Sequence, residues 1–117
     1  MSSPDVYVLS AVRTPIGTFG GSLKDVPLTQ LATTAVKAAL TRSGCDAQQI
    51  GHVVMGNVIP TDPKDAYVSR IAALNAGIPQ ETPAFNVNRL CGSGLQAIIS
   101  AAQSLMLGDA DLSLIHI

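Results

Sequence analysis

Cys91 stands in Asn88-Arg89-Leu90-Cys91-Gly92-Ser93-Gly94-Leu95, directly ahead of an apolar stretch of helical period. A cysteine at a helix start lies beside unpaired backbone N–H groups and the positive end of the helix dipole. Both favour thiolate over thiol, and the thiolate is the nucleophile. The small residues that follow leave room for a substrate to approach the sulfur. A free cysteine more often behaves as a small buried hydrophobe, but the surroundings of Cys91 argue otherwise. Glycine costs about 1 kcal/mol relative to alanine inside a helix. Gly92 and Gly94 nevertheless both fall in the first turn, where an ordinary packing helix gains nothing from them.

The other residues that could carry chemistry read as structural. His116 lies on an apolar strand and is given no catalytic role, and His52 begins a strand as a surface or capping residue. Cys45 follows the helix-ending Gly44 in a polar turn. The glycines Gly17, Gly20 and Gly21 fit neither G-x-G-x-x-G nor a phosphate loop with its Lys and Ser/Thr, so they read as a flexible loop. Two cysteines at unrelated positions give no metal spacing and no disulfide framework.

The elements that must position Cys91 follow from periodicity. Residues 5–12 read as a strand through Val6, Tyr7, Val8 and Leu9, and 13–22 as a loop. From 28 to 42 the residues Leu28, Leu31, Ala32, Ala35, Val36, Ala39 and Leu40 repeat at helical spacing, with Pro27 suited to the first helical position and Gly44 to the C′ position. Residues 47–50 add a short turn. Strands are expected at 52–58, 82–87 and 112–117, a polar loop at 59–65, and helices at 67–76 and 90–107. Leu95, Ile98, Ile99, Ala102, Leu105 and Met106 are expected to line the buried face of the last helix, which Gly108 closes. The order β-α-β-α-β-α-β argues for an α/β layered domain with a mostly parallel sheet and right-handed crossovers. Ligands of such sheets collect beyond the carboxyl ends of the strands, and Cys91, between the third strand and third helix, falls there.

Composition bounds the rest. The 117 residues suffice for one domain, 47% hydrophobic but only 3% aromatic, so the core must be aliphatic and alanine-rich. A net charge of −1 without a basic cluster gives no support to charge-driven binding of nucleic acid or membrane surfaces. The N-terminus lacks the regions of a signal peptide, and no apolar run is expected to reach the roughly 18 residues of a membrane span. Cysteine usage fits a reducing compartment, and the cytoplasm is expected. A strand candidate that ends at Ile117 with no turn after it leaves a sheet edge, which points to a piece of a larger protein.

The segment around Cys91 resembles the active-site segment of thiolases, the acetyl-CoA acetyltransferases and β-ketothiolases. Ala11-Val12-Arg13-Thr14-Pro15-Ile16-Gly17-Thr18-Phe19-Gly20-Gly21 is similar to the family's opening strand and loop. Val54-Met55-Gly56-Asn57-Val58 is similar to its second-strand loop, and 70–79 to the helix that follows. The resemblance runs from about Val6 to Asp111, and the wording around Cys91 is nearest to degradative or short-chain β-ketothiolases.

The resemblance implies a thiolase-like layered fold and a ping-pong acyl transfer. The Cys91 sulfur would attack the keto carbon of a 3-ketoacyl-CoA, release acetyl-CoA and carry the acyl group as a thioester until a second coenzyme A removes it. The reverse is Claisen condensation of two acetyl-CoA molecules. The Cys91 N–H resembles one donor of the family's oxyanion hole. Acyl-CoA and coenzyme A are the implied partners, as substrates rather than cofactors; no cofactor and no metal is expected, no coenzyme A-binding residue is assigned, and the full-length protein is expected as a homodimer or homotetramer. Arg13 and Arg70 could hold coenzyme A phosphates, though a structural ion pair or loop clamp is the preferred reading. Asn57 faces either the active site or a dimer contact. The family's activating histidine, second cysteine and asparagine-bearing loop come later than these 117 residues, so the chain reads as a partial N-terminal domain, 1–117, inactive alone, with 112–117 departing from the family pattern. The alternatives are a ketoacyl-synthase-like condensing enzyme and a non-catalytic binding module.

Overall fold

A computed structural model describes residue 2 and residues 4–116. Its elements are α1 (Leu28–Ser43), β1 (His52–Gly56), α2 (Val68–Asn75), β2 (Ala84–Val87), α3 (Ser93–Leu107) and β3 (Ser113–His116), with short 3-10 turns at Ala47–Gln49 and Pro63–Tyr67. The helical spacing read for 28–42 holds: Ala32, Ala35, Val36 and Leu40 form the buried stripe of α1. Pro27 sits one residue earlier than expected, as the N-cap with ψ 143°, and its carbonyl accepts the N–H groups of Gln30 and Leu31. Gly44 ends the helix at φ 71°, a left-handed conformation that a Cβ would penalise.

The sheet is parallel in the order β2-β1-β3. Val53 pairs with Ala84 on one side and Leu114 on the other. As the central strand β1 is covered on both faces, which is why Val53-Val54-Met55 is continuously apolar and fully buried. Alternation sends Val53 and Met55 into one core with Val36, Leu40, Val68 and Ala72, under α1 and α2. Val54 faces the opposite way, onto Ala97 and Ala101 of α3. The step from β1 to β2 runs through α2 on the first face. The return past β1 to β3 runs through α3 on the second. Reversing both direction and face preserves handedness, so the two crossovers share one hand. The layered α/β architecture expected from the sequence is present.

Three expectations need correction. The first strand candidate, 5–12, is extended but pairs with no strand among the described residues. Tyr7 is 75% and Val8 80% exposed, and Ser10 Oγ donates to the Ala39 carbonyl of α1 (2.9 Å). A short apolar run proposes a strand, but only a ladder partner makes one. Second, the buried face of α3 is not its large apolar face. Ser93, Gly94, Ala97 and Ala101 face the sheet, whereas Leu95 is 65% exposed and Ile98, Ile99 and Met106 are exposed with it. Small residues let the helix axis approach β1 closely, and the large ones are left outside.

Third, 90–107 does qualify by length and mean hydropathy (1.3) as a membrane-spanning stretch. Its helical part, Ser93–Leu107, is 15 residues. At 1.5 Å per residue that is about 22 Å, short of the roughly 30 Å hydrocarbon layer. The strand expected over 112–117 is found at Ser113–His116, with Leu114 buried, while Ile117 lies outside the described residues.

Candidate active site

Strand β2 ends at Val87, and the ladder runs one step further, where the Asn57 N–H donates to the Val87 carbonyl (3.0 Å). The chain then turns through Asn88–Gly92 into α3. Cys91 lies two residues before the first helical residue, at the carboxyl end of the parallel strands, and its side chain is an exposed free thiol. Strand-to-helix handover positions it as the alternation of elements required. The sulfur is neither inside the helix nor sealed in the aliphatic interior.

The turn is held by side chains. Leu90, immediately before the cysteine, has φ 50°. A leucine in this region costs about 1–2 kcal/mol, and Leu90 is 67% exposed, so packing does not hold it there. Hydrogen bonds do. The Leu90 N–H donates to Asn88 Oδ1 (2.9 Å), while its carbonyl accepts the Ser93 hydroxyl (2.6 Å) and the Ser93 N–H (3.0 Å). Ser93 Oγ in turn accepts the Arg89 N–H (2.9 Å), and the Gly92 N–H donates to the Arg89 carbonyl (3.0 Å). Ser93 is buried, so these bonds compete little with water. Arg89 and Cys91 form an isolated parallel bridge across the turn, and the turn's other backbone bonds among the described residues include none donated by the Cys91 N–H. The Cys91 thiol thus stands at the positive end of α3.

The glycines near the site act differently from one another. Gly92 has φ −87°, open to any residue, and a Cβ there would meet only the Arg89 carbonyl at 3.4 Å. Its smallness clears the approach to Cys91 and is not needed by the backbone. Gly56, at the end of β1, is demanded by packing: an added Cβ would stand 2.9 Å from the Ser93 carbonyl carbon and 3.1 Å from the Gly94 nitrogen. The central strand therefore touches the first turn of α3 backbone to backbone.

The structure sorts the remaining candidates. Arg70 donates to the Thr82 carbonyl (3.1 Å), the loop clamp that was the preferred reading. Arg13 is exposed and reaches only the Thr14 carbonyl (3.1 Å). It borders an open groove formed by 11–15 and Arg42, with no link to Cys91. Asn57 donates from Nδ2 to the Asp65 carbonyl (2.7 Å), which ties it to the loop after β1. Cys45 is half-buried near the Ser43 carbonyl. His52, read as a surface or capping residue, is half-buried: among the described residues its Nδ1 is buried without a partner, and its ring meets Phe85 edge-on at 5.4 Å. His116 contributes its backbone to β3, and its side chain lies outside the described residues. Among the described residues no three His, Cys, Asp or Glu side chains converge as metal ligands.

Two supporting residues escaped the sequence reading. Asp65 is a buried carboxylate that accepts the Thr61 hydroxyl (2.6 Å) and the N–H groups of Thr61 and Asp62 (both 3.0 Å). The Thr61 hydroxyl, more than the two backbone donors, holds it below its ordinary pKa, against the opposing effect of burial. Asn86 accepts the Ser69 N–H (3.1 Å) and donates to the Ala66 carbonyl (2.8 Å), so β2 caps the start of α2. The signal for Asp65 was legible in Asp62-Pro63-Lys64-Asp65, an Asp three residues ahead of an acid with Pro between, the pattern of a helical cap.

Comparison with known proteins places this geometry. Residues 6–116 match the family described as Thiolase, N-terminal domain. The chain is 56% identical over 110 residues to Beta-ketothiolase BktB of Cupriavidus necator, covering 94% of this chain and 28% of that protein. It is 42% identical over 109 residues to the mitochondrial 3-ketoacyl-CoA thiolase of Homo sapiens, covering 93% and 28%. The crystal structure of the human mitochondrial 3-ketoacyl-CoA thiolase superposes with a TM-score of 0.86 over 89% of this chain and 26% of that one, at 42% identity. A second structure of the human enzyme, in complex with CoA, matches equally. The chain spans just over a quarter of the length of the curated relatives it matches.

Proposed function

The chain belongs to the thiolase family, and from that premise we propose that it supplies the nucleophile of an acyl-CoA acyltransferase, with Cys91 as the acyl-carrying residue. The observation that carries the reading is an exposed free thiol at the handover from β2 to α3, at the carboxyl end of the parallel strands. In thiolysis the Cys91 sulfur bonds to the keto carbon of a 3-ketoacyl-CoA. The bond between the keto carbon and Cα breaks, and its electron pair takes a proton to become the methyl of acetyl-CoA. The acyl group stays on the sulfur. A second coenzyme A thiol then attacks the thioester and returns the Cys91 thiol. Covalent capture divides one difficult step into two easier ones. The Cys91 N–H is proposed to donate to the carbonyl oxygen as negative charge gathers there.

Coenzyme A thioesters are proposed as substrates, supported by the CoA-bound human relative. No metal or prosthetic group enters the proposed chemistry. The whole protein is proposed as a homodimer or homotetramer in the cytoplasm, without nucleic-acid or membrane partners; relatives named as mitochondrial show that the compartment varies within the family. The 117 residues alone are proposed to be incapable of turnover, because the activating histidine and second cysteine implied by the resemblance lie outside them, and a lone thiol lacks its base. The test is acyl labelling from radiolabelled acetyl-CoA in the complete protein. Label is expected on Cys91 and is expected to vanish in Cys91→Ala. Label that persists in that variant overturns the assignment.

A further inference from the structure

Resting on Cys91 as the acyl acceptor, we infer that Asn88 and Ser93 are positioning residues: together they hold Leu90 in its left-handed conformation and so fix the direction of the Cys91 N–H. The inference begins from a mismatch. A left-handed leucine that packing does not hold requires another restraint. Among the described residues the groups that bond Leu90 are the Asn88 carboxamide on its N–H side and Ser93 on its carbonyl side. Asn88 is itself tied to the loop after β1 by its Nδ2, which donates to the Val58 carbonyl at 3.4 Å. Ser93 is buried under β1, where Gly56 presses on it. The clamp therefore has one jaw on the loop after β1 and one in the first turn of α3, and the peptide it grips is the one that carries the Cys91 N–H. Were Leu90 to relax to negative φ, that peptide plane would rotate. The sulfur would remain exposed, but the donor beside it would point elsewhere.

Acylation and alkylation separate these effects. Phenyl thioacetate delivers an acetyl group: the Cys91 sulfur bonds to the carbonyl carbon, benzenethiolate leaves, and the thiol proton passes to buffer. This passes through an oxyanion. Iodoacetamide alkylates the same sulfur by displacement of iodide, with no oxyanion. The complete protein serves as the reference, with the acetyl and alkyl groups located on Cys91 by peptide mass. Ser93→Ala and Asn88→Ala are each expected to slow acetylation about tenfold, the loss of one aligned oxyanion donor, and to change alkylation by less than about twofold. Asn88 is exposed, so its variant tests the clamp even if the buried Ser93→Ala fails to fold.

Leu90→Gly provides the rescue. Glycine adopts positive φ without strain, so Leu90→Gly added to either variant is expected to return acetylation to within about threefold of the reference. Equal acetylation in the reference and both single variants overturns the clamp while leaving Cys91 as acceptor. Parallel loss of acetylation and alkylation overturns it as well, since that is unfolding or lost access. A reference chain that alkylates but takes no acetyl group overturns the acyl-acceptor reading itself.

Discussion

Gly56→Ala tests whether the central strand sets the position of the reactive turn. A Cβ at residue 56 would stand 2.9 Å from the Ser93 carbonyl carbon, 3.1 Å from the Gly94 nitrogen and 3.1 Å from Ser93 Cβ. Ordinary contact begins near 3.4 Å, so the two backbones must separate by at least the difference, 3.4 − 2.9 = 0.5 Å. Strand β1 cannot yield, because β2 and β3 hold it on both sides. The first turn of α3 must move, and Ser93 with it. Overpacking of this kind costs about 1–3 kcal/mol. Alanine recovers about 0.4–1 kcal/mol by restricting the unfolded chain, and the φ at 56 is not in the left-handed region, so no backbone strain is added. The net expectation is a loss of about 1–2 kcal/mol, read as a lower urea midpoint at unchanged slope. Acetylation of Cys91 by phenyl thioacetate is expected to slow in the same variant, because Ser93 is one jaw on Leu90. A variant with the parent's midpoint and the parent's acetylation rate would refute the close-contact reasoning.

Two further outcomes follow from residues away from the sulfur. Asp65 is held below its ordinary pKa by hydrogen bonds made only in the folded chain, so it contributes stability above the ordinary carboxylate value, 3.8, and that contribution is lost as pH falls through its lowered folded value. Melting temperatures measured from pH 6 downward are expected to show Asp65→Asn less stable than the parent at the upper end, with the gap closing in acid; a constant gap contradicts the assignment. Leu95 and Leu107 are exposed on α3 (65% and 79%), so the double replacement by glutamine is expected to change stability by no more than about 0.5 kcal/mol per site while reducing self-association in light scattering. A large drop in melting temperature would mean that this face is packed.

What could be read in advance depended on whether the deciding partner was local. Helix α1 was legible because its seven apolar positions recur at one period and Gly44 marks the end within the same segment. The place of Cys91 was legible for the same reason: the end of one element and the start of the next lie within six residues. Residues 5–12 misled because a strand is a relation between segments, and the short apolar run of Val6 to Leu9 says nothing of a neighbour to bond. The face of α3 misled because apolarity was equated with burial, whereas the helix buries Ser93, Gly94, Ala97 and Ala101 to come close to β1. The clamp on Leu90 was invisible for a third reason. Ser93 is a small residue in a glycine-rich run, and nothing in its type reveals that it bonds backward to both Arg89 and Leu90.

The two faces of β1 grip their helices unequally. On one, Val36, Leu40, Val68 and Ile78 close around Val53 and Met55; on the other, Val54 meets two alanines with Val87 and Ile115 at the margin. Less area removed from water means a smaller free energy of local opening. Amide protons of α3 are expected to exchange with deuterium ahead of those of α1. Cys91 lies at the head of this second layer, so any body that settles on the outward leucines and isoleucines of α3 is expected also to quiet the turn that carries its sulfur.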